Sequence, residues 1–202
     1  MSVYDNHTLE ELMRLVNQGD IEAEYEVAMR YYANADWQNA NNWLNKVIAN
    51  ENHPRRVASI SYLAQLYDAN GSPYANKKEA IRLFESIMDV PTAVIARLNL
   101  GFLYCEENRI NEGLVLIEGA VKQLIQEDGN DEYLKQIECY KIGVAYEGAQ
   151  CFDLAIDYYR KAIARCDRQY ESDRMLIEKA QEGIADCESR KSMGLEDKGN
   201  NN

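Results

Sequence analysis

The chain is 202 residues long, 46% hydrophobic and 28% charged, a composition typical of a globular protein with a sizeable core. Its formal net charge of −12 argues against nucleic acid and anionic membrane as partners, because both need a concentrated basic surface. We therefore expect a protein or peptide partner with a basic or apolar surface, and no cofactor.

No apolar run approaches the roughly 20 residues needed to span a bilayer. The N-terminal stretch MSVYDNHTLEEL contains neither a basic nor an apolar segment. These features predict a cytoplasmic protein. The five cysteines are scattered and form no CxxC pair, so we expect reduced thiols at small apolar positions rather than disulfides. The two histidines have no neighbouring ligands in the sequence, and we expect no metal site.

The N-terminal segment carries the signals of a helix start. Thr8 and Glu11 have the spacing of a capping box. Leu9, Leu12 and Val16 form an apolar stripe on one face of the helix that follows. We therefore predict a capping helix over residues 8–18.

Four segments share a small residue followed three positions later by tyrosine. They read VAMRY, LAQLY, LGFLY and IGVAY and end at Tyr31, Tyr67, Tyr104 and Tyr146. The tyrosines lie 36, 37 and 42 residues apart, a period that indicates an internal repeat. A second stretch with helical periodicity follows each segment, as in NEGLVLIEGAV and DLAIDYYRKAI. Each repeat is therefore predicted to be a helical hairpin.

The predicted hairpins cover about residues 22–51, 56–90, 93–126 and 132–167. Glycine is unfavourable inside a helix, so we expect Gly101 to mark a close crossing of the two helices of its hairpin, opposite Gly113. Gly143 and Ala155 are the corresponding pair in the fourth hairpin. Small residues should therefore face each other across each hairpin.

The C-terminal part is predicted to close the array. A helix over residues 173–189 presents an apolar face to the fourth hairpin, and the segment 191–202 is predicted to be disordered. A turn at residues 128–131, with a change of register, should bend the array. Residues 1–190 are predicted to form one domain.

The order of small residue, tyrosine, small residue and aromatic resembles the tetratricopeptide repeat (TPR). The second hairpin, YLAQLYDANGSPYANKKEAIRLFESI, resembles the SEL-like variant of that repeat. The resemblance implies an all-α, right-handed α-solenoid of antiparallel helical hairpins, a TPR-like superhelix with capping helices at both ends.

In that family the first helices of successive hairpins line a concave groove that receives a peptide or a partner helix. The groove positions that the resemblance implies are Tyr25, Met29, Tyr32, Ser61, Gln65, Leu98, Phe102, Cys105, Tyr140, Val144 and Glu147. Those of the first two hairpins are mixed and polar, and those of the last two are apolar and aromatic. The alternative is that curvature or the C-terminal helix covers the apolar residues and makes them core.

The sequence contains no phosphate-binding glycine loop, HExxH motif or nucleophile elbow, and we predict that the chain is not an enzyme. We predict a non-enzymatic adaptor that binds a peptide or helix of a partner protein in its groove. One alternative is a regulatory or sensor subunit that binds a small signal peptide or ligand. A second is a self-associating scaffold, a homodimer formed through the same apolar patch.

Overall fold

The computed structural model of the chain describes residues 3–69, 71–128 and 134–194. Over these residues the chain forms ten α-helices and no strand, which confirms the all-α prediction. It divides into two compact units, Met1–Ala96 and Arg97–Asn202, named unit 1 and unit 2 below. Within the described ranges, no helix is both long and apolar enough to cross a membrane. The prediction of one domain over residues 1–190 stays a prediction.

Unit 1 contains a single helix followed by two hairpins. Its helices are α1 (Leu9–Asn17), α2 (Ile21–Ala33), α3 (Trp37–Ala49), α4 (Arg56–Asp68) and α5 (Lys77–Glu85). The predicted capping box at the start of α1 is confirmed. The Thr8 side chain accepts a hydrogen bond from the Glu11 amide, and the Glu11 carboxylate accepts one from the Thr8 amide. Helix α1 packs on α2, and α3 packs on α4.

Unit 2 contains two hairpins followed by a long helix. The division falls within α6 (Val94–Glu106), which is followed by α7 (Ile110–Asp128), α8 (Gln136–Gly148), α9 (Phe152–Arg165) and α10 (Glu171–Ser192). Helix α10 packs against α9 and α8. The predicted turn at residues 128–131 begins with the last residue of α7, and the rest of it lies outside the described residues.

Three of the hairpins turn in the same way after the repeated tyrosine. Four residues after it, Ala35, Asn108 and Gln150 adopt a left-handed conformation with φ between 55° and 63°. The amide of the next residue then donates a hydrogen bond to the tyrosine carbonyl, at 2.8–3.0 Å. This is the arrangement of a Schellman cap. The tyrosine signature therefore also marks where each first helix ends.

The glycine crossing predicted in the third hairpin is present. A Cβ atom at Gly101 would lie 2.8 Å from the Gly113 carbonyl oxygen, and one at Gly113 would lie 2.6 Å from the Gly101 carbonyl oxygen. Both distances are too short for carbon, so the two backbones approach more closely than alanine permits.

The fourth hairpin packs differently from the prediction. The ring of Tyr159 in α9, and not Ala155, fills the space beside Gly143. A Cβ atom added at Gly143 would lie 2.7 Å from that ring. Gly183 of α10 lies against the same ring, and a Cβ atom added there would lie 2.6 Å from it. Tyr159 is 1% exposed. One buried aromatic ring therefore joins α8, α9 and α10, which explains why this hairpin carries a glycine facing a large side chain.

The C-terminal helix extends further than predicted. Residues 191 and 192, assigned to the disordered tail, are the last residues of α10, and residues 195–202 lie outside the described ranges. The extension has a physical cause, because Cys187 is fully buried and Lys191 forms an ion pair with Asp153 of α9. These contacts hold the last turns of α10 against the hairpin.

Candidate functional site

Facing helices of unit 2 enclose a cavity of about 390 Å³, called the unit 2 cavity. Helix α6 contributes three side chains to it, α7 contributes one, and α8 contributes the remaining residues. The lining residues are Phe102, Cys105, Glu106, Ile110, Tyr140, Lys141, Val144, Ala145 and Gly148. Four of the predicted groove residues, Phe102, Cys105, Tyr140 and Val144, are thus brought together.

Helical spacing explains how α8 presents its side of the cavity. Lys141, Val144 and Gly148 are separated by three and four residues, so they lie on one face of the helix. Val144 remains 45% exposed. At Gly148 an added Cβ would lie 3.4 Å from the Cδ1 atom of Ile110, so this end of the cavity is narrow.

The cavity is apolar with charge at its edge. Phe102 is 4% exposed, and the Nζ atom of Lys141 lies 5.2 Å from the centroid of its ring, which is a cation–π distance. Glu106 is exposed. Burial, with the nearby Glu106 adding to it, raises the pKa of the Cys105 thiol to about 11. At neutral pH Cys105 is therefore a neutral and weakly nucleophilic side chain.

Two of the predicted groove residues are engaged elsewhere. Leu98 is fully buried, so it belongs to the packed interior and offers no surface to a partner. The Glu147 carboxylate accepts a hydrogen bond from the Tyr159 hydroxyl at 2.6 Å and lies 3.4 Å from the guanidinium of Arg190. Glu147 therefore helps to hold α10 in place and is not among the residues that line the cavity.

The alternative that the apolar residues are core holds for Leu98 and Phe102, which are buried, whereas Val144 is 45% exposed. No described residue of α10 is among those that line the unit 2 cavity. Helix α10 contacts α8 through Arg190 and through the ring of Tyr159, which also packs on the Tyr140 ring at a centroid distance of 5.6 Å. The exposed fraction of Val144 is therefore surface that a partner could bury.

Unit 1 contains a cavity of similar size, about 410 Å³, called the unit 1 cavity. Three of the predicted residues line it, namely Tyr25 on α2 and Ser61 and Gln65 on α4. Tyr62 and Arg55 also line it, and the Arg55 guanidinium lies over the Tyr25 ring at 5.7 Å from its centroid. The lining is thus more polar than that of the unit 2 cavity.

Aromatic rings form a continuous series that begins in the wall of the unit 1 cavity. The ring of Tyr62 lies between those of Tyr25 and Tyr32, at centroid distances of 6.4 and 5.2 Å, and Tyr32 contacts Trp37 at 5.7 Å. Burial, with the neighbouring Tyr62 adding to it, raises the pKa of Tyr25 to about 12. Tyr32 and Met29 are half-buried and do not line the cavity.

His53 holds the turn that forms one wall of the unit 1 cavity. Its ring is 4% exposed, and its Nε2 atom lies 2.7 Å from the carbonyl oxygen of Ile21. Its Nδ1 atom accepts a hydrogen bond from the Arg55 amide at 3.0 Å. Because a carbonyl can only accept and an amide can only donate, these two contacts are satisfied when Nε2 donates and Nδ1 accepts. The wall around Arg55 is thereby tied to the start of α2.

Both cavities are also lined by residues outside the predicted groove set. Lys141 and Gly148 could have been found from their spacing of three and four residues around Val144. Ile110 enters the unit 2 cavity from the first turn of α7, and Arg55 enters the unit 1 cavity from a turn held by a distant histidine. Neither Ile110 nor Arg55 lies within the first helix of a hairpin, so the predicted groove positions do not include them.

In the described part of the chain, no group of three or more His, Cys, Asp or Glu residues could hold a metal ion. The five cysteines all lie in the described ranges, and none of them forms a disulfide.

Comparison with known proteins gives structural neighbours and no sequence family. No family model matches the chain, and no curated protein matches it significantly. A putative kinesin light chain with nearly identical TPR-like repeats, from Podosopora anserina, is 20% identical, with a TM-score of 0.56 over 91% of this chain and 92% of that chain. A point variant of the same protein gives a TM-score of 0.54 at 20% identity, covering 86% of this chain and 96% of that chain.

A third similar structure is BtubC (BKLC) from P. vanneervenii. It is 15% identical, with a TM-score of 0.56 over 92% of this chain and 88% of that chain. At these identities the likeness shows the fold. The chain has the architecture of TPR-like repeat proteins, which confirms the predicted fold class.

Proposed function

We propose that the chain is a non-enzymatic protein-interaction module and that its unit 2 cavity binds an apolar side chain of a partner helix or peptide. Stacked helical repeats form extended surfaces that generally serve protein recognition. The observation that carries the proposal is the convergence of Phe102, Cys105, Tyr140 and Val144 on one cavity between α6 and α8.

The size and lining of the cavity favour a side chain as the occupant. A volume of about 390 Å³ is at the lower end of the range for small-molecule sites, and few polar groups are available there to orient a ligand. Large apolar side chains inserted into such pockets are the usual anchors of protein interfaces. Tyr140 and the exposed part of Val144 provide the apolar surface that an anchor would bury.

Charge favours a partner that carries lysine or arginine beside its apolar anchor. The cavity edge carries one acid, Glu106, and one base, Lys141, so the preference comes from the net charge of −12 of the whole chain. A basic partner would be steered toward the chain, and the effect would weaken with added salt.

The chemistry of the cavity supports a binding role over a catalytic one. Its thiol, Cys105, has a pKa of about 11 and is almost entirely protonated at neutral pH. A nucleophilic cysteine needs a lowered pKa and an adjacent base. Among the described residues that line the cavity there is no histidine.

A library of helical peptides displayed on phage tests the proposal. Peptides selected on the wild-type chain should carry a large apolar residue flanked by basic ones. Val144→Glu should weaken their binding about tenfold or more, because it places a carboxylate at the apolar mouth. Leu154→Glu is the matched control, since Leu154 is 38% exposed on α9 and lies outside the cavity.

Two results would count against the proposal. Selected peptides that bind Val144→Glu and Leu154→Glu equally well would place the binding surface elsewhere. A library that yields no binder, together with a small molecule that copurifies with the chain and is lost from Val144→Glu, would favour the ligand-sensing alternative.

A further inference from the structure

Helix α7 contains a glycine that the packing of the chain does not explain. Gly113, in the same helix, is required by the close crossing with Gly101, but a Cβ atom added at Gly119 would meet no atom of the described residues within 4 Å. Gly119 is exposed and lies at the midpoint of a helix that spans Ile110–Asp128. Glycine disfavours a helix relative to alanine. A contact outside the chain would give this glycine a reason.

Apolar side chains flank Gly119 on the solvent-facing side of α7. Val115 is 70% exposed and Ile125 is 40% exposed. We call the exposed residues Val115, Glu118, Gly119, Lys122 and Ile125 the α7 outer face. They are separated by three or four residues along the helix, except for the adjacent pair at its centre, so they form one strip.

A groove of about 270 Å³ adjoins this strip. Val121 and Ile125 of α7 form one wall, and the rings of Tyr146 and Tyr158 form the other. The two rings are stacked at 5.7 Å, and the Tyr146 hydroxyl donates a hydrogen bond to Glu118 at 3.1 Å. The groove is thus a largely apolar recess whose lining also includes Glu118, Lys122 and Gln126.

The charges of the α7 outer face suit contact with an identical surface. The strip carries one acid, Glu118, and one base, Lys122, so it is electrically balanced in a chain whose net charge is −12. Two copies of the chain repel one another in general, but they do not repel at this strip. The balance therefore favours a second copy over a strongly basic partner.

We propose that α7 pairs with α7 of a second copy of this chain, in an antiparallel arrangement that crosses at Gly119. With a rise of 1.5 Å per residue, Glu118 then lies about 3 Å along the axis from the partner's Lys122, and the two-fold symmetry repeats the pair. In a parallel arrangement the two copies of Glu118 would instead lie side by side, as would the two copies of Lys122.

The same geometry matches the exposed Val115 to the recess. Counting along the antiparallel axes, the partner's Val115 is level with the segment between Lys122 and Ile125, where the groove opens. Gly119 at the crossing point permits the two backbones to approach closely, as Gly101 and Gly113 do within the third hairpin. The surface therefore carries both halves of a self-complementary contact.

This pairing uses different residues from the unit 2 cavity, so it stands or falls independently of the proposed function. Analytical ultracentrifugation of the full chain over a range of concentrations tests it. The wild-type chain should form a dimer. Lys122→Glu and Glu118→Lys should each raise the dimer dissociation constant about tenfold or more, because each turns two opposite-charge pairs into like-charge pairs.

An equimolar mixture of Lys122→Glu and Glu118→Lys gives the sharpest result. The two variants are complementary, so the mixture should form a heterodimer under conditions in which each variant alone is monomeric. Lys78→Glu, the same charge change at an exposed position on α5, should leave the dimer unchanged. Gly119→Ala should raise the midpoint of thermal unfolding of the monomer and weaken the dimer.

The proposal is overturned if the wild-type chain stays monomeric at high concentration, which would leave this face to a different protein. A dimer that both single variants retain with wild-type affinity would also overturn it, because the contact would then lie on another surface.

Discussion

The polar residues that line the unit 1 cavity are two tyrosines, a serine, a threonine, a glutamine and an arginine, whereas those of the unit 2 cavity are a tyrosine, a cysteine, Glu106 and Lys141. Aliphatic side chains also line both cavities, and the unit 2 cavity adds the ring of Phe102. Both cavities are bounded by first helices of hairpins, and their volumes are about 410 and 390 Å³. The repeat therefore specifies where a surface is placed, while the residues between the signature positions decide what that surface can bind.

The units also differ at their hairpin crossings. Unit 1 places the buried alanines Ala28 and Ala64 at the signature position, and unit 2 places Gly101 and Gly143 there. Glycine permits a closer approach of the helices, and in the fourth hairpin it admits a whole tyrosine ring. The apolar cavity therefore lies in the unit whose hairpin crossings carry glycine.

The largest effect is expected where the unit 2 cavity merges with the core. Phe102→Ala should lower the free energy of unfolding by roughly 3–5 kcal/mol, since a nearly fully buried aromatic ring is removed. Urea denaturation followed by circular dichroism measures this loss. A loss well below 1 kcal/mol would mean that Phe102 is a surface residue and that the cavity is wider than described.

The next effect tests the close crossing in unit 2. Gly101→Ala should lower the free energy of unfolding by about 2 kcal/mol, because the new methyl group meets the Gly113 carbonyl oxygen at 2.8 Å. Gly119→Ala is the matched control in the same hairpin, and it should raise the free energy of unfolding of the monomer by up to about 1 kcal/mol. Equal effects at both positions would contradict the packing described for the third hairpin.

In unit 1 a comparable test concerns the two hydrogen bonds of the His53 ring. His53→Ala should cost about 1–2 kcal/mol of unfolding free energy, because the Ile21 carbonyl and the Arg55 amide both lose their buried partner. Thermal unfolding of the variant beside wild type measures the loss. His53→Gln, which can restore one of the two hydrogen bonds, should recover part of it, and a fully stable alanine variant would show that the turn holds without the ring.

The smallest effect is confined to alkaline pH. The pKa of Tyr25 is about 12 in the folded chain against an ordinary value of 10, so the unfolded chain releases this proton first as pH rises. The contribution of Tyr25 to stability is therefore complete below pH 10 and is lost as pH rises through 12. Tyr25→Phe should lose less stability than wild type as pH rises from about 9 to about 11.5 in urea titrations. Identical losses would mean that the hydroxyl is well hydrated.

The sequence was sufficient for the parts of the structure that repeat. A period of 36 to 42 residues between tyrosines predicted paired helices, and the capping box at Thr8 predicted the start of α1. Four of the predicted groove residues converge on the unit 2 cavity and three on the unit 1 cavity. These features depend on local periodicity, which a single sequence contains.

The remaining features depend on contacts between distant residues. Leu98 has the spacing of a groove residue but is fully buried. Glu147 is bound by the Tyr159 hydroxyl and by Arg190, which is 43 residues further along the chain. Gly143 faces the Tyr159 ring, although its sequence pattern pairs it with Ala155. Helical spacing gives the face of a helix but not the neighbour that meets it.

The most direct test of the central claim, that the unit 2 cavity is the partner site, is the alkylation rate of Cys105 with and without a selected peptide, measured by mass spectrometry at mildly alkaline pH. Cys166 on the same chain is the internal reference, because burial also raises its pKa and it lies outside the cavity. We predict that the bound peptide slows alkylation of Cys105 and leaves Cys166 unchanged. A peptide that binds tightly while Cys105 reacts at its free rate would contradict the account.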